Sequence, residues 1–345
     1  MTKVKWGILS TAKIGVTKVI PALLQASNCE VIAIASRDVN KAKSVAAQLN
    51  AAKAFGSYEE LLADKEIDAV YNPLPNHLHL PLTLAAIKAG KHALCEKPIG
   101  LNKEEAETLQ KEASLHPGLK VMEAFMYRFH PQWIKAVMEA FMYRFHPQWI
   151  KAKELVDNGT IGKVKNIQSF FSYNNVDPSN IRNKADIGGG ALMDIGCYCI
   201  SFPRFILGKE PVEVSGNSVF DKEFKTDIVT SGTLFFEENV TANFTCSTQL
   251  FPFQRVNILG DKGRIEIDIP CNAPLDEPTK VTLYLNGEEK VMYFEGNQYT
   301  LECEAFADSI LNNTDVPTSL SDAVNNMKVI DAIVESNLKK EIVGV

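Results

Sequence analysis

Val4-Lys-Trp-Gly-Ile-Leu9 runs without a break into Ser10-Thr-Ala-Lys-Ile-Gly15, and the residues that follow, to about Ala26, carry the spacing of a helix. An apolar strand that delivers the chain into a small-residue turn and then a helix is the opening of a dinucleotide-binding βαβ unit, whose fingerprint is G-x-G-x-x-G. Ser10 and Ala12 stand where the first two glycines of that pattern fall, and Gly15 keeps the third. Both replacements are small enough to let a pyrophosphate approach the helix N-terminus, where N–H groups and the helix dipole favour an anion. Ser10, Thr11, Ala12, Ile14 and Gly15 are thus the candidate phosphate loop; the alternative is a plain tight turn.

Outward from that loop the pattern repeats. EVIAIA, AKAF, DAVYN and KHALCE are short apolar runs separated by helical stretches such as SYEELLA and HLPLTLAAIKAG. Alternation of this kind, with strands rich in Val, Ile and Ala, implies a doubly wound parallel sheet covered by helices on both faces: an α/β Rossmann domain. The second strand ends in Ser36-Arg37-Asp38, where an NAD enzyme carries an acid for the ribose hydroxyl. A hydroxyl and a guanidinium come first here, with Lys41 one turn later, and a bidentate Arg suits a 2′-phosphate; NADP is favoured over NAD. The competing reading of Arg37 is a solvated charge at a strand end.

From about Lys163 the texture changes to longer alternating strands, KVKNIQSFFSY, TSGTLFFEE, VTANFTCST, RVNILG and KVTLYLN, and helical patterns close the chain at Leu301–Leu311 and Leu320–Leu338. The expectation is an α+β domain with a large, mostly antiparallel open sheet. The division expected is 1–125 for dinucleotide binding and 126–345 for substrate binding and oligomerisation, in keeping with about 150 residues per domain. At the junction VMEAFMYRFHPQWIKA occurs twice, at Val121–Ala136 and Val137–Ala152, identical in all sixteen positions. Structural repeats keep only buried positions and stack in about three or more copies, so this is a duplication, with one copy an insertion. The strand role suits the first copy, Val121–Tyr127, and the helix role the second, His146–Ala152.

Composition narrows the function. The chain has 345 residues, 46% hydrophobic and 23% charged, and a net charge of -6 without a basic run, which argues against nucleic acid as partner. No run of 18 or more apolar residues suggests a membrane span, and the odd seven cysteines, without a CxxC pair or zinc spacing, read as reduced cytoplasmic thiols with no metal site. A small polyhydroxylated molecule is the expected partner.

Two further stretches carry chemistry. Pro73-Leu-Pro-Asn76-His77 and Cys95-Glu96-Lys97-Pro98 end the fourth and fifth strands, the edge at which parallel sheets bind ligands. Downstream, Gly188-Gly-Gly-Ala-Leu-Met-Asp194-Ile-Gly-Cys-Tyr198 places Asp194 and Tyr198 four apart, on one face of a helix. Taken with GILSTAKIG and the ASRD strand end, these motifs resemble the Gfo/Idh/MocA oxidoreductases over the whole chain apart from the extra sixteen residues. Within that family the similarity is to the dimeric dihydrodiol dehydrogenase, NADP-dependent D-xylose dehydrogenase and glucose–fructose oxidoreductase branch, which EAFMYRFHPQ also resembles.

The resemblance implies a catalytic Lys97 beside the nicotinamide, Asp194 and Tyr198 arriving from the second domain, and a cis Lys97–Pro98 peptide. Tyr198 stands where many members carry His. Read from the residues, a lysine near the cofactor favours the phenolate of Tyr198, which makes it a proton acceptor from a carbinol. Singly, Lys97 also reads as a solvated loop charge and Tyr198 as a core aromatic. Pro73, Asn76, His77, Glu96 and Lys97 are the expected cofactor contacts beyond the loop, although His77 and His79 also suit helix capping. Arg128, or its copy Arg144, and Arg182 are candidate substrate contacts, or structural ion pairs. The function expected is hydride transfer between NADP and a carbinol carbon of a sugar, polyol or trans-dihydrodiol by a homodimer or dimer of dimers. Rivals are a non-catalytic dinucleotide-binding regulator of the same fold and a relay with tightly held cofactor.

Overall fold

The computed structural model describes residues 2–124, 146–274 and 277–345. Arg128 and Arg144 lie outside them, as does most of the duplicated segment. The chain forms two compact units, residues 1–142 with 297–324 and residues 143–296 with 325–345.

In the first unit, β1 (Val4–Ile8), β2 (Cys29–Ala35), β3 (Lys53–Phe55), β4 (Ala69–Asn72), β5 (His92–Glu96) and β6 (Val121–Ala124) form one parallel sheet among the described residues, ordered β3-β2-β1-β4-β5-β6. Trp6, Ile8, Ile34, Val70 and Leu94 are buried, as a sheet covered on both faces requires. The order reverses direction beside β1, between β2 and β4, so the loops after β1 and β4 share the switch point where ligands of such sheets bind. The connecting helices are α1 (Ile20–Gln25), α2 (Val39–Gln48), α3 (Tyr58–Ala63), α4 (His79–Lys88) and α5 (Lys103–Ser114). Asp38, Ser57 and Asn102 cap α2, α3 and α5 with side-chain oxygens, which is why those helices start where they do. Residues 297–324, which the sequence reading assigns to the second domain, pack with this unit. Helix α8 (Gln298–Leu311) sets Phe306 5.7 Å from the Trp6 ring, and Glu304 accepts hydrogen bonds from Ser27.

The second unit holds α6 (Pro147–Asp157), β7 (Val164–Asn174), α7 (Cys197–Leu207), β8 (Glu213–Phe220), β9 (Asp227–Phe236), β10 (Val240–Ser247), β11 (Gln249–Gly260), β12 (Gly263–Ile267), β13 (Thr279–Leu285), β14 (Glu288–Phe294) and the two-residue β15 (Val343–Gly344). Among the described residues the sheet is ordered β14-β13-β12-β11-β7-β10-β9-β8-β15, antiparallel except where β10 runs parallel to β7. Helix α9 (Leu320–Lys339) follows β14 and α8 in sequence and is divided between the two units at 324/325. The segment Ala185–Leu207 is long and apolar enough to cross a membrane by composition, contrary to the sequence reading, yet 83% of its apolar window is buried inside the protein. The strands alternate as the sequence reading expects. Leu234, Ala242, Phe244 and Cys246 turn to the covered side, while the other face carries Ser231 hydrogen-bonded to Thr245, Asn243 to Thr233, and an ion network of Arg255, Glu266, Asp268, Lys280 and Arg264. That face is mixed, for Phe170 and Phe253 stand on it too, their ring centroids 5.6 Å apart.

Of the duplicated sixteen residues, Val121–Ala124 of the first copy is a strand, and Pro147–Ala152 of the second opens α6 with His146 as its cap. All seven cysteines are free and buried. No group of His, Cys, Asp or Glu among the described residues is arranged to hold a metal.

Candidate functional site

The chain leaves β1 at Ile8, is helical from Lys13 and passes into a π-helical turn, Gly15–Val19, that no side chain caps. Ser10 Oγ accepts the Ala12 N–H at 3.0 Å, which bends the loop, and Gly15 packs against Tyr71 and Pro73 of the β4 end, each 3.6 Å from where a Cβ would lie. The structure thus brings Ser10, Thr11, Ala12, Ile14, Gly15 and Pro73 to the switch point. At the end of β2, Ser36 is buried and Arg37 and Lys41 are exposed. Arg37 hydrogen-bonds the Tyr58 phenol, and its positive charge opposes the rise that burial causes in that phenol's pKa. Asp38 is spent on capping α2 through the Asn40 and Lys41 N–H groups, so it is not placed as a ribose acid.

The ends of β4 and β5 are tied by His79. Its Nδ1 lies 2.7 Å from the Pro98 carbonyl and its Nε2 2.7 Å from the Leu74 carbonyl. Burial pushes its pKa down to about 4, while both carbonyls pull the other way. A neutral ring donates to one of them only; His79 therefore belongs to the frame of the two loops rather than to a helix cap. His77, in the 3₁₀ turn Asn76–Leu78, keeps a buried Nδ1 without a partner among the described residues. The Lys97–Pro98 peptide is cis. Glu96 Oε1 accepts from the buried Tyr71 hydroxyl at 2.5 Å and its Oε2 lies 3.3 Å from the Lys97 N–H, which fixes the carboxylate against the sheet and leaves Lys97 half-buried.

In the second unit, Gly188 is left-handed at φ 81°, and a Cβ on Gly189 would lie 2.5 Å from the Arg182 carbonyl and 2.7 Å from that of Lys184. Only glycine fits there. The chain then enters a π-helical turn, Leu192–Gly196, and α7. Asp194 Oδ2 accepts from Arg182 Nε at 2.8 Å and from the Tyr173 hydroxyl at 2.7 Å. The Asp194 charge, against burial and with help from Tyr173 and Tyr198, raises the Arg182 pKa, whereas burial followed by Asp194 pushes the Tyr173 phenol up. Arg182, expected to meet substrate, is engaged by Asp194, although its side chain stays 41% exposed. Tyr198 is 3% exposed, with its ring 6.2 Å from that of Phe171. Tyr173 is a site residue that sequence reasoning misses; its place in an alternating strand gives no sign that its hydroxyl reaches the Asp194 turn. The π turn is a second departure, since the face shared by Asp194 and Tyr198 is argued from α-helical spacing.

Known proteins resemble both halves of the chain. Residues 4–125 match the oxidoreductase family with an NAD-binding Rossmann fold, and residues 149–266 match the GFO/IDH/MocA C-terminal domain. The chain belongs to the GFO/IDH/MocA oxidoreductase family. It is 39% identical to an oxidoreductase of Rhizobium meliloti over 97% of both chains, and 36% identical to a D-xylose 1-dehydrogenase (NADP(+)) of Haloferax volcanii over 96% of both. A 3-ketoreductase from Actinomadura kijaniata, solved in complex with NADP and TDP-benzene, superposes with a TM-score of 0.87 at 27% identity, covering 97% of this chain and 98% of that one. This GFO/IDH/MocA member is thus an NAD(P)-dependent oxidoreductase.

Proposed function

We propose that this oxidoreductase transfers hydride between NADP and a carbinol carbon of an aldose or related polyol, a trans-dihydrodiol being the other substrate class to test. The observation that supports this most is the constellation in the second unit: a phenol, Tyr198, on the same helical segment as a carboxylate, Asp194, with the Arg182 guanidinium electrostatically coupled to both. Such a cation favours the phenolate, and a phenolate takes the hydroxyl proton as hydride leaves the same carbon. Lys97, at the cis turn that ends β5, is the second cation of the reading.

The first unit suits a dinucleotide. An uncapped helix start fits the pyrophosphate, the buried Nδ1 of His77, without a partner among the described residues, fits a ribose hydroxyl, and exposed Arg37 and Lys41 fit a 2′-phosphate. NADP, when bound, supplies the nicotinamide carbon that accepts or returns hydride. Ser10, Thr11, Ala12, Ile14 and Gly15 would hold its phosphates, Ser36, Arg37 and Lys41 its adenosine end, and Pro73, Asn76, His77, Glu96 and Lys97 its nicotinamide half. Asp194, fixed by Tyr173 and Arg182, orients substrate, while Tyr198 carries the proton. Arg128 belongs to the proposal as a further substrate contact. The 36% identical relative named for D-xylose and NADP(+) supports both halves.

A cytoplasmic homodimer joined through the uncovered sheet face completes the reading; light scattering that finds only monomer at micromolar concentration overturns this part. Absorbance screening of NADP+ and NAD+ reduction against aldoses, inositols and dihydrodiols tests the activity. Reduction of NADP+ by an aldose or diol is expected, and no turnover with any of them, despite tight dinucleotide binding, would favour the regulator.

A further inference from the structure

Asp227, the first residue of β9, is a buried carboxylate that the mechanism above does not use; it is 9% exposed. Its Oδ2 accepts the Leu192 N–H at 2.8 Å and the hydroxyl of fully buried Thr230 at 2.7 Å, and the Ala191 N–H adds a third donor. Leu192 is thirty-five residues upstream in sequence and opens the π turn that carries Asp194. The other carboxylate oxygen, Oδ1, lies 2.0 Å from where a Cβ on Gly190 would be, at a residue whose φ is +121°. The third glycine of the Gly188–Gly190 run is therefore explained by the carboxylate that presses on it, just as the second is by the carbonyls of Arg182 and Lys184.

A carboxylate is costly to bury unless donors meet it, and here burial raises its pKa against the hydrogen bonds that lower it. The N–H groups at a helix start are such donors, and the helix dipole adds to them. The consequence is geometric. The helical segment is tied at its first turn to β9, an inner strand third from the β15 edge of the sheet. The tie falls at Leu192, two residues before Asp194 and six before Tyr198, with Gly190 packed beneath the same carboxylate.

We infer that Asp227 is a positioning residue, whose carboxylate locks the first turn of the helical segment 191–207 so that Asp194 and Tyr198 keep their orientation. The inference rests on the functional reading above only where turnover is measured; the lock itself is read without substrate.

The full-length Asp227→Asn protein tests it, because the amide keeps the size of the side chain and loses its charge and one acceptor. Hydrogen–deuterium exchange at residues 191–198 should quicken by about tenfold or more, with β1, β2, β4 and β5 unchanged. With NADP+ and D-xylose deuterated at C1, kcat should fall by about ten- to a hundredfold, as expected for small misplacements of catalytic groups. The KM for NADP+ should stay within about twofold, and the primary isotope effect should rise. A smaller active fraction leaves that isotope effect where it was, so the readout separates positioning from damage. If Asp227→Asn does not fold, Thr230→Val removes one donor and should give a smaller change in the same segment. Exchange at 191–198 at the parent rate in the folded variants overturns the inference, as does faster exchange with kcat and isotope effect unchanged. A parent protein that oxidises none of the sugars or diols overturns the functional reading instead, and the exchange result then decides the lock by itself.

Discussion

The two loops that deliver the site residues, Ser10–Gly15 and Gly188–Gly196, are built on the same plan and held in opposite ways. Each leads through small residues into a π-helical turn, Gly15–Val19 in one case and Leu192–Gly196 in the other. In the first, no side chain caps the turn, and the glycine has only ordinary contacts at 3.6 Å. In the second, a buried carboxylate occupies the N–H of Leu192, and backbone carbonyls and Asp227 leave no room for a Cβ at Gly189 or Gly190. A helix start left open to an anion is what a loop for a dissociable phosphate needs, whereas a helix start closed by the protein's own acid is what a loop for fixed side chains needs. Similar sequence texture thus serves recruitment in one place and rigidity in the other.

The contrast can be broken most severely at Tyr198. Tyr198→Phe should lower kcat by about 10²-fold or more with NADP affinity nearly intact, because proton transfer is lost and the dinucleotide loop is untouched. Stopped-flow turnover with fluorescence titration of NADPH checks both, and parental turnover would remove Tyr198 from the mechanism.

Stability should respond to pH through the frame of the first unit. His79 is held near 4 against 6.5 in the unfolded chain, so the unfolded state takes up the proton first. Its contribution is complete above pH 6.5 and is lost as pH falls toward 4, on the order of 3 kcal/mol at most. Urea midpoints across that window should fall with pH, and His79→Gln should flatten the fall.

The glycines sharpen the comparison directly. Gly190→Ala should cost about 1 to 3 kcal/mol in urea unfolding, since its backbone lies where L-residues are strained and its Cβ meets a carboxylate. Gly15→Ala should leave stability within about 0.5 kcal/mol. Equal losses at both positions would show that the two loops are not held differently. The smallest effect is expected at the rim of the cofactor site: Arg37→Ala should narrow the preference for NADP over NAD by about tenfold, the worth of one charged hydrogen bond. Unchanged affinities for both would withdraw the 2′-phosphate assignment.

Much of the first unit is legible in the sequence because its signals are local. β1, the small-residue turn and the EKP strand end each follow from neighbours along the chain, and the strand and helix roles of the two copies at the junction follow from periodicity. What escapes reading depends on long-range approach. Nothing near Tyr173 announces that its hydroxyl meets Asp194, nothing in the 297–324 stretch says that Phe306 packs on Trp6, and Asp227 reads as an ordinary acid at a strand start. The apolar positions of TSGTLFFEE and VTANFTCST are plain in the sequence, but which face they take is set by the helices that cover the sheet.

The edge strand β6 and the helix α6 draw on different copies of one sixteen-residue word. Glu123 of that strand is buried and accepts the Ile99 N–H at 2.6 Å; in the second copy the same place is held by Glu139. Removing residues 121–136 and removing residues 137–152 leave one and the same polypeptide. The shortened chain therefore keeps both the glutamate that answers Ile99 and the tryptophan that opens α6, whichever copy is struck out, and the question of which is original and which inserted has no chemical content.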